Sequence, residues 1–320
     1  MGEFIVDADV LASARFGTSQ LAETVGALGM LEHPQPMPWH RPWRQQHLGE
    51  FQARLRDDPI ATAILAHAFS RTWTADFLTI PPAGPGLDLG EELAELESLS
   101  DHQIRADLEQ VRTPLPADLS ASGLAATVAQ LLRWVWTHTI APTWERRERV
   151  LRADVVSRTS RLSTHGWSGV LDDMRPGMRW LGQGRLQINT HPYPPRDIRG
   201  RDLTFLAAHC GNGWITWRLP EPARYGVVYP VTGIFANTPR AAPDPLARLL
   251  GAARATVLIR AATPVSTSAL VAVTAMPLST VGSHLRILLD AGLLQRRRSG
   301  RQVLYWWTDA ARDLVAGANQ

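Results

Sequence analysis

Apolar residues recur at three- and four-residue steps in one segment near the end of the chain: Leu278, Val281, Leu285 and Leu288. That period places them on one face of a helix that can seat on a small core. Ser279, Thr280, Gly282, Ser283 and Arg286 fall on the opposite face. Pro277 suits the first turn of such a helix, and Gly292, just after Asp290 and Ala291, suits the left-handed residue that stops it. The pattern then changes from helical to extended. Residues 293–298 and 301–308 read as two strands with Ser299 and Gly300 as a two-residue turn between them. Four of the six residues from Arg296 to Arg301 are arginine.

A helix with short or cationic groups on its free face, followed by an arginine-rich hairpin, is the outline of a winged helix-turn-helix. Small side chains let a helix approach base edges in a major groove. Guanidinium groups on a wing suit the phosphate backbone or the negative potential of a minor groove. The expected major-groove contacts are Ser279, Thr280, Ser283 and Arg286, with His284, which precedes a core leucine, as an added candidate. The expected wing contacts are Arg296, Arg297, Arg298 and Arg301. Taken singly, an apolar stripe is core and an arginine run is a solvated turn; the two in this order favour double-stranded DNA as the partner.

The run Leu278-Ser279-Thr280-Val281-Gly282-Ser283-His284-Leu285, followed by Asp290-Ala291-Gly292-Leu293-Leu294 and the hairpin, resembles the ArsR-type winged-helix repressors. The resemblance extends upstream, with residues 244–251 and 253–262 similar to that family's first helices and 266–275 to its helix before the turn. It covers the last quarter of the chain. From Phe4-Ile5-Val6-Asp7 through Asp76-Phe77-Leu78 and Pro81-Pro82-Ala83-Gly84-Pro85 to Tyr229-Pro230, the chain is similar to a large N-terminal domain of uncharacterised function fused to such regulators in actinobacteria. Many ArsR-type proteins sense thiophilic ions through paired cysteines on the helix before the turn. Residues 266–275 hold neither Cys nor His, and Asp309 and Asp313 on the last helix have no histidine beside them. A metal sensor is therefore not expected, and no cofactor is implied.

Upstream, the first 165 residues read as helices broken by proline loops. Ser19 suits the cap of a helix to residue 31, and Pro34, Pro36, Pro38 and Pro42 interrupt the helical pattern beyond it. Ser100 with Gln103 is a capping-box pattern for a helix to about residue 111. A longer helical pattern spans residues 122–163, with a break at Pro142 and a stop at Gly166. Its Arg146, Arg147, Arg149 and Arg152, mixed with Glu145 and Glu148, read as a solvated face. Residues 178–181, 184–189, 203–208, 214–219 and 225–231 read as strands, with Gly182-Gln183-Gly184 and Gly211-Asn212-Gly213 as hairpin turns. The expected fold is thus mostly α: an α+β N-terminal domain over residues 1–237, helices first and a largely antiparallel sheet second, a linker at 238–245, and a winged helix-turn-helix domain over 246–320.

Charge distribution sharpens this picture. All 33 basic residues are arginine; residues 241–320 hold nine of them against four acids, while the rest of the chain is slightly acidic. The basic excess coincides with the hairpin and helix. One cysteine, Cys210, rules out an intramolecular disulfide framework and fits a reducing compartment, and no apolar run or leader-like start points to a membrane, so a cytoplasmic protein is expected. His33, His40 and His47 are separated by prolines, and His209 beside Cys210 reads as a strand end. No nucleophile elbow, phosphate-cradling loop or zinc-protease motif occurs, so an enzyme is not expected.

Tryptophan (12) outnumbers both phenylalanine (7) and tyrosine (4). Trp134, Trp136 and Trp144 fall on the long helical segment and Trp180, Trp214 and Trp217 on strands, where they serve either as core or as the walls of a pocket for a small effector. Trp306 and Trp307 pack the winged domain or its dimer interface. The combined expectation is a homodimeric, sequence-specific transcriptional repressor reading an inverted repeat, with an N-terminal domain that either senses a small non-metal effector or serves assembly. A protein-interaction module and an enzyme fused to a DNA-binding tail are the other two readings.

Overall fold

The computed structural model describes residues 2–32, 40–70, 73–172, 174–219, 221–231, 242, 244–262, 264–299 and 302–318. Its fold is mixed α/β, and the chain divides into two compact units, Met1–Trp144 with Arg175–Pro230 and Glu145–Met174 with Val231–Gln320. The second unit thus takes in a helical segment from the middle of the sequence as well as the C-terminal region.

The first unit contains β1 (Glu3–Ile5), α1 (Ala8–Ser13), β2 (Arg15–Thr18), α2 (Gln20–Glu32), α3 (Arg41–Arg56), α4 (Pro59–Ala68), α5 (Leu89–Glu97), α6 (Asp101–Val111) and α7 (Leu124–Val135), then β3 (Arg179–Gly182), β4 (Arg185–Gln187), β5 (Arg196–Asp197), β6 (Asp202–Ala208), β7 (Trp214–Arg218) and β8 (Arg224–Pro230). Its helix starts reflect local chemistry. The Ser19 hydroxyl accepts the Ala22 N–H at 2.9 Å ahead of α2, and Ser100 and Gln103 form a reciprocal capping box that starts α6 at the expected place. Helix α2 is buried over most of its circumference and packs against α3, α5, α7 and β6, which makes it the central helix of the unit.

The strands depart from the expected antiparallel arrangement. One sheet has the order β2-β6-β8-β7, with β2, β6 and β8 parallel and β7 antiparallel at the edge; the other has the order β3-β4-β1-β5, with β1 and β5 parallel. The reason lies in the strands themselves: β6 and β8 are nearly unbroken buried runs, the pattern of strands covered on both faces, whereas alternation marks a sheet with one wet face. Strand β8 inserts between β6 and β7, so Gly211-Asn212-Gly213 is a crossover and not a hairpin turn. Gly213 has φ +67°, and a Cβ there would meet the Val228 carbonyl oxygen at 2.1 Å. By contrast, Gln183 and Gly184, both at positive φ, do close the β3–β4 hairpin.

The helical pattern of residues 122–163 breaks at Pro142 as expected, through a π-turn at Trp136–Ile140 and a 3-10 turn at Ala141–Thr143, because proline supplies no N–H to an α-ladder. Helix α8 (Trp144–Leu171) comes next and leaves helical geometry at Gly166 (φ 65°). Its cationic segment is only partly the solvated face anticipated. Arg152 does pair with Glu148 in solvent at 2.7 Å, but Arg147 is 2% exposed, and Asp154 and Arg158 form a buried ion pair at 2.8 Å.

Beyond α8, the second unit comprises α9 (Asp244–Leu250), α10 (Ala252–Arg260), β9 (Val265–Ser266), α11 (Thr267–Thr274), α12 (Leu278–Asp290), β10 (Leu294–Ser299), β11 (Gln302–Trp307) and α13 (Asp309–Gly317). Helices α10, α11 and α12 pack on one another around Val257, Leu258, Leu270, Val281, Leu285 and Leu288, all buried. The sheet β10-β11-β9 is antiparallel throughout, with Leu294 and Leu304 buried in it. Of the linker expected at 238–245, only residues 242, 244 and 245 are among those described. Among the described residues no single helix is long and apolar enough to cross a membrane.

Candidate nucleic-acid interface

Helix α12 spans the segment read from its apolar period, and Val281, Leu285 and Leu288 are fully buried beneath it. Leu278 differs: it is 63% exposed. As the first helical residue it lies before the hydrophobic seam, which begins one turn later, and it borders a recess of about 540 Å³ shared with Arg161, His165 and Tyr305. On the outer face Ser279, Gly282, Ser283 and Arg286 are exposed, and Thr280 is half-buried. The Arg286 side chain is 85% exposed, with Asp290 at 3.9 Å as its ion-pair neighbour. His284 turns away from this face towards Arg254 on α10 and is half-buried; burial and that guanidinium hold its pKa below the ordinary histidine value.

The hairpin is in register from Leu294↔Trp307 to Ser299↔Gln302, so Ser299 is a strand residue and not the first residue of the turn. Alternation along β10 puts Arg296 and Arg298 on the face of Tyr305 and Val303, and Arg297 on the face of Leu304. All three arginines are exposed, while Arg301 lies outside the described residues. Trp307 anchors the hairpin: its indole N–H donates to the Leu258 carbonyl at 2.6 Å and its backbone N–H to that of Ala261 at 3.1 Å. Thr308 then caps α13 by accepting the Ala311 N–H. Between α11 and α12 the chain turns through 116° at Ala275, a left-handed residue (φ 55°), and Pro277. Two short helices at a sharp angle, a free polar helix face and three exposed arginines on the adjoining strand thus share one small unit.

The first unit holds a second feature, a cleft of about 950 Å³ whose walls include Trp73, Tyr193 and Trp217. Trp73 meets both Tyr193 and Trp217 edge to face, at centroid distances of 5.5 and 5.3 Å. The Arg196 guanidinium lies over the Trp217 ring at 3.9 Å. The Trp217 indole N–H donates to Asp76 Oδ2 at 2.7 Å. Burial, and then the neighbouring carboxyl of Asp107, push Asp76 up to about 7 despite the Trp217 N–H and the Arg196 charge. Asp107 itself is raised by burial, against the amides of Phe77 and Asp76. Arg175, also in the wall, donates to the Ile188 carbonyl at 2.6 Å and the Gly213 carbonyl at 3.2 Å, and burial draws it down to about 10.

Part of the tryptophan excess therefore faces a cleft, while other members are packing groups: Trp134 stacks on His138, and Trp136 packs on Trp144. Trp73 and Asp76 lie in one segment and Tyr193 and Arg196 in another, so nothing in their spacing marked them as one site. Cys210 closes the end of β6 beside His209, and burial pushes its thiol up to about 12, which leaves it inert as a nucleophile. Among the described residues no three His, Cys, Asp or Glu side chains gather as a metal ion would require. The chain was compared with protein-family models, curated proteins and solved structures, and none matched.

Proposed function

We propose that the chain is a sequence-specific DNA-binding transcriptional regulator, a repressor acting as a homodimer, in which the second unit is a winged helix-turn-helix. Helix α12 is its recognition helix and β10–β11 its wing. The observation that carries this reading is the placement of Ser279, Ser283 and Arg286 on the free face of a helix whose other face is sealed, beside a strand with Arg296, Arg297 and Arg298 exposed. Such a helix fits a major groove, and such a strand has the charge to follow phosphates. The 116° turn from α11 into α12 supports it, since helix-turn-helix motifs cross at comparable angles.

Dimerisation is part of the proposal because one short helix reads few bases, and a two-fold pair reading an inverted repeat multiplies specificity. The first unit is proposed to hold the effector site in its aromatic cleft. Selection of duplexes from a random pool by the full chain tests the reading. Enrichment of one inverted repeat, lost on Arg286→Ala, supports it; a pool that stays random refutes it.

A further inference from the structure

The cleft of the first unit contains one cation arranged unlike the others. Arg196 is half-buried with its guanidinium carbon over Trp217, 3.9 Å from the ring centroid, and among the described residues its side chain makes no hydrogen bond and no ion pair. Contact with the indole face restricts the guanidinium, and its N–H groups have no acceptor among the described residues, so they are available to a bidentate acceptor. The other charges of the wall are already engaged: Glu3 is held by Arg185 at 2.9 Å, Arg175 by backbone carbonyls, and Asp76 takes the Trp217 N–H. Next to this fork stand the rings of Trp73 and Tyr193, which present flat apolar surface to a planar guest. The cleft volume of about 950 Å³ is at the upper end for small-molecule sites and leaves room for more than one ring.

We propose that this cleft binds a planar aromatic carboxylate, whose carboxylate takes the free fork of Arg196 and whose ring lies against Trp73 and Tyr193. A cationic guest would have to displace Arg196 from Trp217. The proposal identifies the effector class of the function proposed above, but the binding step is a property of the first unit and is read separately from DNA.

The test is calorimetric titration of the purified full chain with benzoate and 1-naphthoate, beside their carboxamides and benzylamine, at concentrations up to about 5 mM. Saturable one-to-one binding of the carboxylates, at least about tenfold weaker for the amides, is the expected result. Arg196→Gln should weaken the carboxylates by about tenfold or more, and Arg196→Lys, which keeps the charge but not the planar fork, should recover only part of the loss. Both variants should fold, as a melting curve checks, since among the described residues this side chain makes no hydrogen bond or ion pair that folding would lose. Trp73→Leu provides a second test on the ring, and it too should weaken the carboxylates.

Four results each overturn the proposal: no saturable binding, equal affinity for acid and amide, preference for benzylamine, or indifference to Arg196→Gln in a folded variant. The same samples are assayed for DNA. Ligand binding that leaves DNA affinity unchanged sinks the effector role and not the site, whereas DNA binding without ligand binding sinks the site alone.

Discussion

Replacing Arg286 by alanine separates a recognition residue from a structural one. The side chain is 85% exposed, and its ion-pair neighbour Asp290 stands 3.9 Å away and is itself 74% exposed, so the pair contributes at most about 0.5 kcal/mol. Alanine returns a few tenths of a kcal/mol through its better helix propensity. The two terms nearly cancel, and the melting temperature of Arg286→Ala should stay within about 1 °C of the parent. Binding should respond very differently. A guanidinium that makes two hydrogen bonds to a guanine contributes about 1–3 kcal/mol of discrimination, so affinity for the selected operator should fall by roughly 5- to 150-fold. Fluorescence anisotropy on the operator and on single-base variants measures both quantities. Preference should relax at one base pair while the others keep their ranking. An unchanged operator affinity, or a variant that loses several degrees of stability, would refute the assignment of Arg286 as a free, base-reading side chain.

Removing a wing arginine should look different. Arg297→Ala is expected to weaken all duplexes alike and to reduce the dependence of log K on log salt by about one unit, measured by anisotropy over a salt series; a sequence-selective loss with the slope intact would count against a phosphate contact. In the first unit, Glu92 accepts the Leu21 N–H and the Ser19 hydroxyl ahead of α2, and burial raises its pKa to about 7. A folded pKa raised above the ordinary value of 4.5 gives stability that is present below 4.5 and is lost as pH rises through about 7, with a ceiling of ~3 kcal/mol. Denaturant titrations at pH 5 to 8 should therefore show the unit weakening with pH, and Glu92→Gln should flatten that decline; a steeper decline in the variant would reverse the sign argued here. Gly213→Ala, whose Cβ would meet the Val228 carbonyl at 2.1 Å, should cost about 2 kcal/mol or more, whereas Gly211→Ala, with nothing within 4 Å, should be nearly silent by the same measurement.

Local signals were readable wherever one segment carries all the information. The capping box at Ser100 and Gln103 starts α6 where its residues say it must, and the apolar period from Val281 to Leu288 marks α12. Strand order was not readable. Strand β2 pairs in parallel with β6 across more than 180 residues, and no local pattern records such a partner, although the unbroken apolar runs of β6 and β8 do mark strands covered on both faces. Burial of Arg147 and exposure of Leu278 run against residue type, since each is decided by where its helix meets the rest of its unit. The aromatic cleft is the extreme case. Trp73, the stretch from Tyr193 to Arg196, and Trp217 converge from three segments, and only the excess of tryptophan hinted at them.

Whether helix α12 and the basic hairpin read DNA is decided by genome-wide sequencing of DNA co-precipitated with the tagged chain, alongside a variant with alanine at Arg286, Arg297, Arg298 and Arg301. Discrete peaks that share an inverted repeat and vanish in the fourfold variant are predicted. No enrichment over background, or peaks that persist without the four arginines, would contradict the account.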